Sequence, residues 1–169
     1  ESRGRAIVNL VQLEEGEKIA ACRAIRDFHA PDHYLVMATS KGLIKKTPLS
    51  AYGRPRNSGI IAIKLREDDQ MIDVLVCKKG DEIVLSTANG MAIRFAEGGG
   101  RGVRSVGRSA RGVRGINLRK DDEVVGMVVA EPEGLLLTVC ENGYGKRTPF
   151  GANADPSTLV ESDGEASGD

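Results

Sequence analysis

The chain has 169 residues, a length that allows one large domain or two small ones. Its 24 Lys and Arg balance 24 Asp and Glu, so the overall charge predicts no particular partner. No apolar run approaches the roughly 18 residues of a membrane helix, and no N-terminal segment is typical of a signal peptide. The widely spaced Cys22, Cys77 and Cys140 match neither a zinc site nor a disulfide framework. They favour a reducing compartment, and their apolar surroundings predict buried, unreactive thiols.

Overall neutrality conceals a strong charge asymmetry along the chain. Residues 1–120 carry 22 Lys and Arg against 13 Asp and Glu, whereas residues 121–169 carry 2 against 11. The densest stretch, residues 94–120, has eight basic residues and one acid. Because a polyanion responds to the local field rather than to the total charge, this stretch favours a nucleic-acid partner. A solvated face on a neutral protein is the alternative.

Two sequence elements each occur three times at intervals of 48 to 55 residues. The first is Gly-x-x-x-[Ile/Val]-x-Leu, at residues 4–10, 59–65 and 112–118. The second is an apolar strand, a turn ending in Gly and a short basic strand, at residues 35–47, 83–95 and 136–148. Asn89-Gly90 and Asn142-Gly143 suit the positive φ angles of tight hairpin turns. The acidic pairs at 68–69 and 121–122 predict turns between strands.

In chain order, the repeats predict the closing strands of one unit over residues 1–26, two complete units over 34–130 and the opening hairpin of another over 135–148. Each unit of about 53 residues would hold about four strands, which is typical of a propeller blade. The predicted fold is therefore all-β, a propeller-like partial ring, with blades over residues 1–150. The acid-rich segment 151–169 has little to bury and is predicted to be a disordered tail or linker.

A basic loop precedes the glycine of each first element, and these loops are the best candidates for a binding site. Guanidinium groups match phosphate oxygens, and neighbouring glycines let backbone N–H groups approach. One loop per blade would form a row along one rim, where it could follow a DNA backbone without reading bases. Arginines that solvate the loops or pair with acids of the next blade are the alternative. The candidates are Arg3, Arg5, Arg54, Arg56, Arg101, Arg104, Arg108, Arg111 and Arg114.

A second basic site follows each hairpin turn. It comprises Lys45 with Lys46, then Arg94, then Lys146 with Arg147. Because a strand alternates its faces, one residue of each adjacent pair is expected to point outward and to be able to contact DNA. Ordinary charge that protects an edge strand from aggregation is the alternative.

The sequence predicts no catalytic site, no metal site, no cofactor and no small-molecule substrate. The only histidines, His29 and His33, share one segment with Asp27 and Asp32, and its Pro and lack of Cys favour an exposed loop between blades. The glycine-rich residues 98–102 lack the Lys-Ser/Thr pair of a phosphate-binding P-loop.

Four stretches in order carry a resemblance to a known family. They are SRGRAIVNL at residues 2–10, RPRNSGIIAI at 54–63, VGRSARGVRGI at 106–116 and ENGYGKRT at 141–148. With the repeat spacing, they cover about residues 1–150 and resemble the C-terminal domain of the A protein of bacterial DNA gyrase, a type IIA topoisomerase.

The resemblance implies a β-pinwheel, a propeller-like ring whose blades exchange strands, with a positive rim that wraps double-stranded DNA. It implies partnership with the rest of gyrase A and with gyrase B in an ATP-dependent holoenzyme that introduces negative supercoils. DNA cleavage and ATP hydrolysis belong to other parts of that enzyme, so this part would be non-catalytic, bacterial and cytoplasmic, near the nucleoid. The family's wrapping box, Gln-basic-basic-Gly-Gly-basic-Gly, is absent from the sequence. The homologous C-terminal domain of topoisomerase IV and a propeller-type protein-interaction scaffold are the alternatives.

Overall fold

The structure is a computed structural model that describes residues 4, 6, 9, 11, 13–56, 58–100 and 102–152. Arg3, Arg5 and Arg101 lie outside the described residues, and so does nearly all of the predicted tail, from residue 153 onward. Nothing tests the tail prediction, which stays a prediction.

Three antiparallel hairpins form where the second repeated element predicts them. Each joins a Val-, Leu- or Ile-rich strand to a second strand through a turn whose glycine has a positive φ, such as 81° at Gly42. Thr39 Oγ1 accepts a hydrogen bond from Leu43 N at 3.2 Å and so closes the first turn. The hairpins are β1 (His33–Thr39) with β2 (Leu43–Pro48), β4 (Glu82–Thr87) with β5 (Ala92–Ala96), and β8 (Leu135–Val139) with β9 (Gly145–Pro149).

Further strands complete two of the hairpins as sheets. In the first sheet the strand order is β3-β1-β2-β6, with β3 at Met71–Lys78 and β6 at Val113–Arg114. In the second sheet the order is β5-β4-β7, with β7 at Val124–Ala130. β8 and β9 form a two-stranded sheet, and the residues that the structure describes include no α-helix. The predicted all-β fold class is therefore confirmed.

Strand β6 is exchanged between repeats. It belongs to the third copy of the first element, yet it pairs with β2 of the first hairpin, with Ile44 opposite Val113. The chain reaches β2 through Gly112, whose φ is 103° and whose added Cβ would lie 2.5 Å from the carbonyl oxygen of Ile44. Only glycine permits that approach. The exchange implied by the resemblance is thus present in the first sheet.

The predicted strand content of each unit needs correction. No described residue before His33 belongs to a strand, and the second copy of the first element, residues 59–65, forms none either. A strand needs a neighbour for its ladder hydrogen bonds. In the described part of the chain only the third copy pairs with a hairpin edge, whereas the second packs on the face of the first sheet. The first unit therefore builds three strands, β1 to β3, and takes its fourth, β6, from the third copy of the first element.

Two apolar clusters cover the two faces of the first sheet. The cluster between the first and second sheets includes Val36, Ile44, Cys77, Ile83, Leu85, Val124 and Met127. The cluster on the outer face comprises Leu35, Met37, Leu49, Tyr52 and Val74, with Ile60, Ala62 and Ile63 packed against it. Burial of such side chains stabilises the fold by about 1.5–3 kcal/mol each. The core thus lies on both sides of β1 and β2.

Carboxylates tie each acidic turn to the hairpin turn beside it. Asp69 Oδ1 accepts hydrogen bonds from Ser40 Oγ at 3.1 Å, Lys41 N at 3.0 Å and Gln70 N at 2.9 Å. In the next repeat, Asp122 Oδ1 accepts from Asn89 N at 3.0 Å. The predicted turns are confirmed, and their second acids hold the sheets in register.

We expect Asp69→Ala to lower the free energy of unfolding by about 1–3 kcal/mol, because it leaves the buried hydroxyl of Ser40 and the partly buried N–H of Lys41 without an acceptor. Urea denaturation measures the change. Asp68→Ala is the matched control, since Asp68 is exposed and its loss should change stability by no more than about 0.5 kcal/mol. Equal effects of the two changes would contradict the role of Asp69.

The prediction of three buried thiols is right for Cys77 and wrong for Cys22 and Cys140. Cys77 lies in β3 and packs between the two sheets, where burial and the nearby carboxylates of Glu97 and Asp81 raise its pKa to about 12. Cys22 lies in an irregular segment and Cys140 in the turn between β8 and β9, and neither position is covered by a second sheet.

In a thiol titration of the native protein at pH 8, we expect two cysteines to react quickly and the third only after denaturant is added. The reactive species is the thiolate, which Cys77 does not form at that pH. A Cys22→Ala, Cys140→Ala double variant should show no rapid reaction. Rapid reaction of a thiol in that variant would show that Cys77 is accessible.

Candidate nucleic-acid interface

The largest basic loop runs from residue 97, after β5, to residue 112, before β6. Among its described arginines, Arg104 and Arg111 are exposed and Arg108 is half-buried, and Arg114 on β6 is exposed. Arg114 donates to Asn117 Oδ1 at 3.3 Å. None of these four arginines forms an ion pair with an acid in the described part of the chain. The alternative in which they pair with acids of a neighbouring blade thus gains no support.

The second basic loop is followed by a segment that contacts the first basic loop. It follows a 3-10 helix at Leu49–Tyr52 and carries Arg54 and Arg56, both exposed. Beyond it, Lys64 N donates to the carbonyl oxygen of Ala110 at 3.3 Å, so segments from two repeats meet backbone to backbone. Tyr52 Oη donates to Ala62 O at 3.3 Å on the same side. The structure therefore brings the segment that follows Arg54 and Arg56 against the loop that carries the arginines at 104–111.

Lys45 does not face solvent, contrary to the expectation that one residue of the pair points outward. Lys45 is only 1% exposed, and its Nζ donates to the carbonyl oxygen of Ala62, in the segment after Arg54 and Arg56, and to that of Arg108, in the first basic loop. Burial, and secondarily the charge of Arg108, lower its pKa to about 8. The folded protein thus disfavours the charged form, and this cost falls away as the pH rises above 8.

Lys46 is also buried, at 5% exposure, so neither residue of this pair can contact DNA. Its Nζ lies 2.6 Å from the carbonyl oxygen and 2.5 Å from Oε2 of Glu97, and 4.7 Å from the ring centroid of Tyr34. Val106 N donates to its backbone oxygen at 2.9 Å. The expectation failed because segments of the next repeat fold over β2, so that alternation leaves no outward face.

Arg94 makes the same contact one repeat later. It occupies the position of Lys46 in the second hairpin, and its Nη1 donates to the carbonyl oxygen of Phe150, which corresponds to Glu97 one repeat on. Its Nη2 donates to Ala152 O at 3.3 Å, and its Nε pairs with Glu82. The basic residue of the second hairpin strand thus binds the start of the following repeat's loop in both sheets.

Lys146 and Arg147 have a different environment. Both lie on β9 and are exposed, on opposite faces of a hairpin that pairs only β8 with β9. No hydrogen bond within the described residues joins this hairpin to either basic loop. The structure leaves these two residues accessible and does not bring them together with the arginines.

The segment 27–33 is an exposed loop, as predicted. Its groups are used locally: His29 N donates to Asp27 Oδ1 at 2.8 Å, and His33 Nδ1 lies 2.7 Å from Pro31 O. Across the described residues, no three His, Cys, Asp or Glu side chains are grouped as metal ligands would be. The same residues contain no helix with the length and apolarity to cross a membrane.

Sequence reasoning missed the inward role of the second basic site. The repeat spacing of the sequence contained the information. Lys46 and Arg94 are 48 residues apart, and the residues whose carbonyl oxygens they bind, 97 and 150, are 53 apart. Each basic residue therefore precedes the start of a loop by about one repeat period.

Comparisons with known proteins agree with this architecture. The family model described as "DNA gyrase C-terminal domain, beta-propeller" matches residues 33–78 and 81–131. The DNA gyrase A protein of Salmonella typhimurium is 46% identical over 147 residues, which are 87% of this chain and 16% of that protein. For the gyrase A protein of Staphylococcus epidermidis the identity is 43% over 151 residues, covering 88% and 17%. The chain therefore spans about one sixth of the length of these relatives.

Solved structures give the same result. The C-terminal domain of DNA topoisomerase IV superposes with a TM-score of 0.75 at 31% identity, over 86% of this chain and 45% of that one. The DNA gyrase A C-terminal domain superposes with a TM-score of 0.74 at 29% identity, over 86% and 47%. With a family match over more than half its length and sheets arranged as that family's description requires, the chain belongs to the DNA gyrase C-terminal domain family.

Proposed function

We propose that this chain is a non-catalytic DNA-binding module that holds the backbone of duplex DNA on its two adjoining basic loops. The observation that carries the proposal is the group of arginines at 54, 56, 104, 108, 111 and 114. Residues 104–111 lie on a loop that hydrogen-bonds to the segment after Arg54 and Arg56, and none of the six arginines forms an ion pair with a described acid. The resemblance of the sequence to DNA-wrapping domains supports the same assignment.

The chemistry of the loops favours phosphate over base contacts. Arginine guanidinium groups form bidentate hydrogen bonds with phosphate oxygens. The loops offer no recognition helix for the major groove. The chain has only three Tyr, three Phe and no Trp, which disfavours a stacking platform for single strands. Binding should therefore be insensitive to sequence and specific for duplex DNA.

We further propose that the module works within a gyrase-type holoenzyme, with the rest of gyrase A and with gyrase B, and supports ATP-dependent negative supercoiling. Its relatives by sequence are gyrase A proteins, although the fold is equally similar to a topoisomerase IV domain. This role belongs in the bacterial cytoplasm, at the nucleoid. Lys146 and Arg147 would add a second, separate contact with the same DNA.

Duplex binding should weaken steeply with salt. If about six phosphates are neutralised, affinity should fall roughly a thousandfold between 50 and 200 mM salt. We expect Arg104→Ala, Arg108→Ala and Arg111→Ala together to weaken binding to all sequences alike and to reduce the slope of log K against log salt by about 3. Fluorescence anisotropy with two unrelated duplexes measures both quantities.

The matched control removes three exposed lysines from scattered turns, Lys41, Lys79 and Lys120, and thus the same total charge. It should leave the slope nearly unchanged. An identical loss in both variants would show that net charge alone matters, and no binding at low salt would disprove the proposal. Tighter binding to an acidic protein than to DNA would favour the interaction scaffold.

A further inference from the structure

The basic loop of residues 97–112 is held against β2 at three points. At its start, Lys46 Nζ binds both the carbonyl oxygen and the carboxylate of Glu97. In its middle, Val106 N donates to the backbone oxygen of Lys46. Near its end, Lys45 Nζ binds the carbonyl oxygen of Arg108. Two adjacent buried lysines thus determine the path of a loop that begins 51 residues after Lys46.

Lys45 also joins the first basic loop to the segment that follows the second. The same Nζ that binds Arg108 O binds Ala62 O, which belongs to the segment after Arg54 and Arg56. One ammonium group therefore sets the separation of two backbones whose side chains carry the positive charge. Because three N–H donors are available, both carbonyls can be satisfied at once.

These contacts are costly to build, which points to a role beyond packing. A buried ammonium group loses its hydration, and replacing a buried ion pair with apolar side chains is often neutral or stabilising. Apolar residues at 45 and 46 would cover β2 equally well, but they would provide no donors for the loop carbonyls. Arg94, although exposed, repeats the contact with a loop carbonyl at Phe150 O in the second sheet.

We propose that Lys45 and Lys46 are positioning residues for DNA binding: they touch no DNA, and they fix the two basic loops in the geometry that a duplex requires. The inference rests on the proposed function. Without the lysines, the loops would have to be ordered during binding, and this ordering reduces affinity.

The test compares Lys46→Met, Lys46→Arg and the control Lys41→Met, which removes the same charge from an exposed position on the same hairpin. We expect Lys46→Met to speed amide hydrogen exchange across residues 98–111, Val106 included, and to weaken duplex binding about tenfold because of the ordering cost. Lys46→Arg should keep both the slow exchange and the affinity of the wild type, since Arg94 makes the equivalent contact. Lys41→Met should change neither.

Each result separates two explanations. Faster exchange with unchanged affinity, or lost affinity that Lys46→Arg does not restore, would overturn the positioning role. If wild-type protein binds no DNA, the proposed function fails, whereas the exchange data still report whether the lysines hold the loop. Should Lys46→Met not fold, Glu97→Gln weakens the same contact more mildly, and unchanged exchange in that variant would refute the inference.

Discussion

The pairing of β6 with β2 is the interaction on which the rest of this architecture depends. It brings the third copy of a short glycine-containing element to the edge of the first hairpin, and the loop that leads to β6 must then run along β2. From this one exchange follow the covering of both faces of β2, the burial of its two lysines and the meeting of two basic loops. The cationic surface is therefore a product of how repeats join, and no single repeat forms it alone.

The polar contacts at this junction determine specificity more than stability. Lys46 and Glu97 lie almost entirely out of water, so their attraction is offset by the loss of hydration of both groups. Their contact is nevertheless directional, and it includes a backbone oxygen as well as a carboxylate. A purely apolar junction would allow the loop to slide along β2. The ion pair and the bound carbonyls define one register.

Hairpins and acidic turns could be predicted from sequence because both are local. Glycine at the turn, runs rich in Val, Ile and Leu in the strands and paired aspartates after residue 67 act over a few residues. No strand forms within 59–65, and none of the described residues before 26 belongs to one. A strand also needs a partner, and its own residues do not specify that partner. Lys45 and Lys46 were misjudged for the same reason: alternation predicts outward charge only on a strand with one open face.

The candidate site also has features that are local in sequence and features that depend on long-range contacts. Glycine-rich loops dense in arginine were recognisable from composition, and the described arginines at 54, 56, 104, 111 and 114 are exposed. Their adjacency was not recognisable, because it depends on hydrogen bonds between residues 17 to 63 positions apart in the chain.

Exchange of β6 also has a consequence for biosynthesis. The first sheet receives its last strand from residues 113–114, about seventy residues after β2 begins, so a ribosome must have released most of the second repeat before the first is finished. Until then the nascent first hairpin exposes an unpaired edge, and its two lysines lack their acceptors at Glu97 and Arg108 until those residues have also been made. Maturation of such an array proceeds one step behind its synthesis, and each newly made repeat completes the one before it.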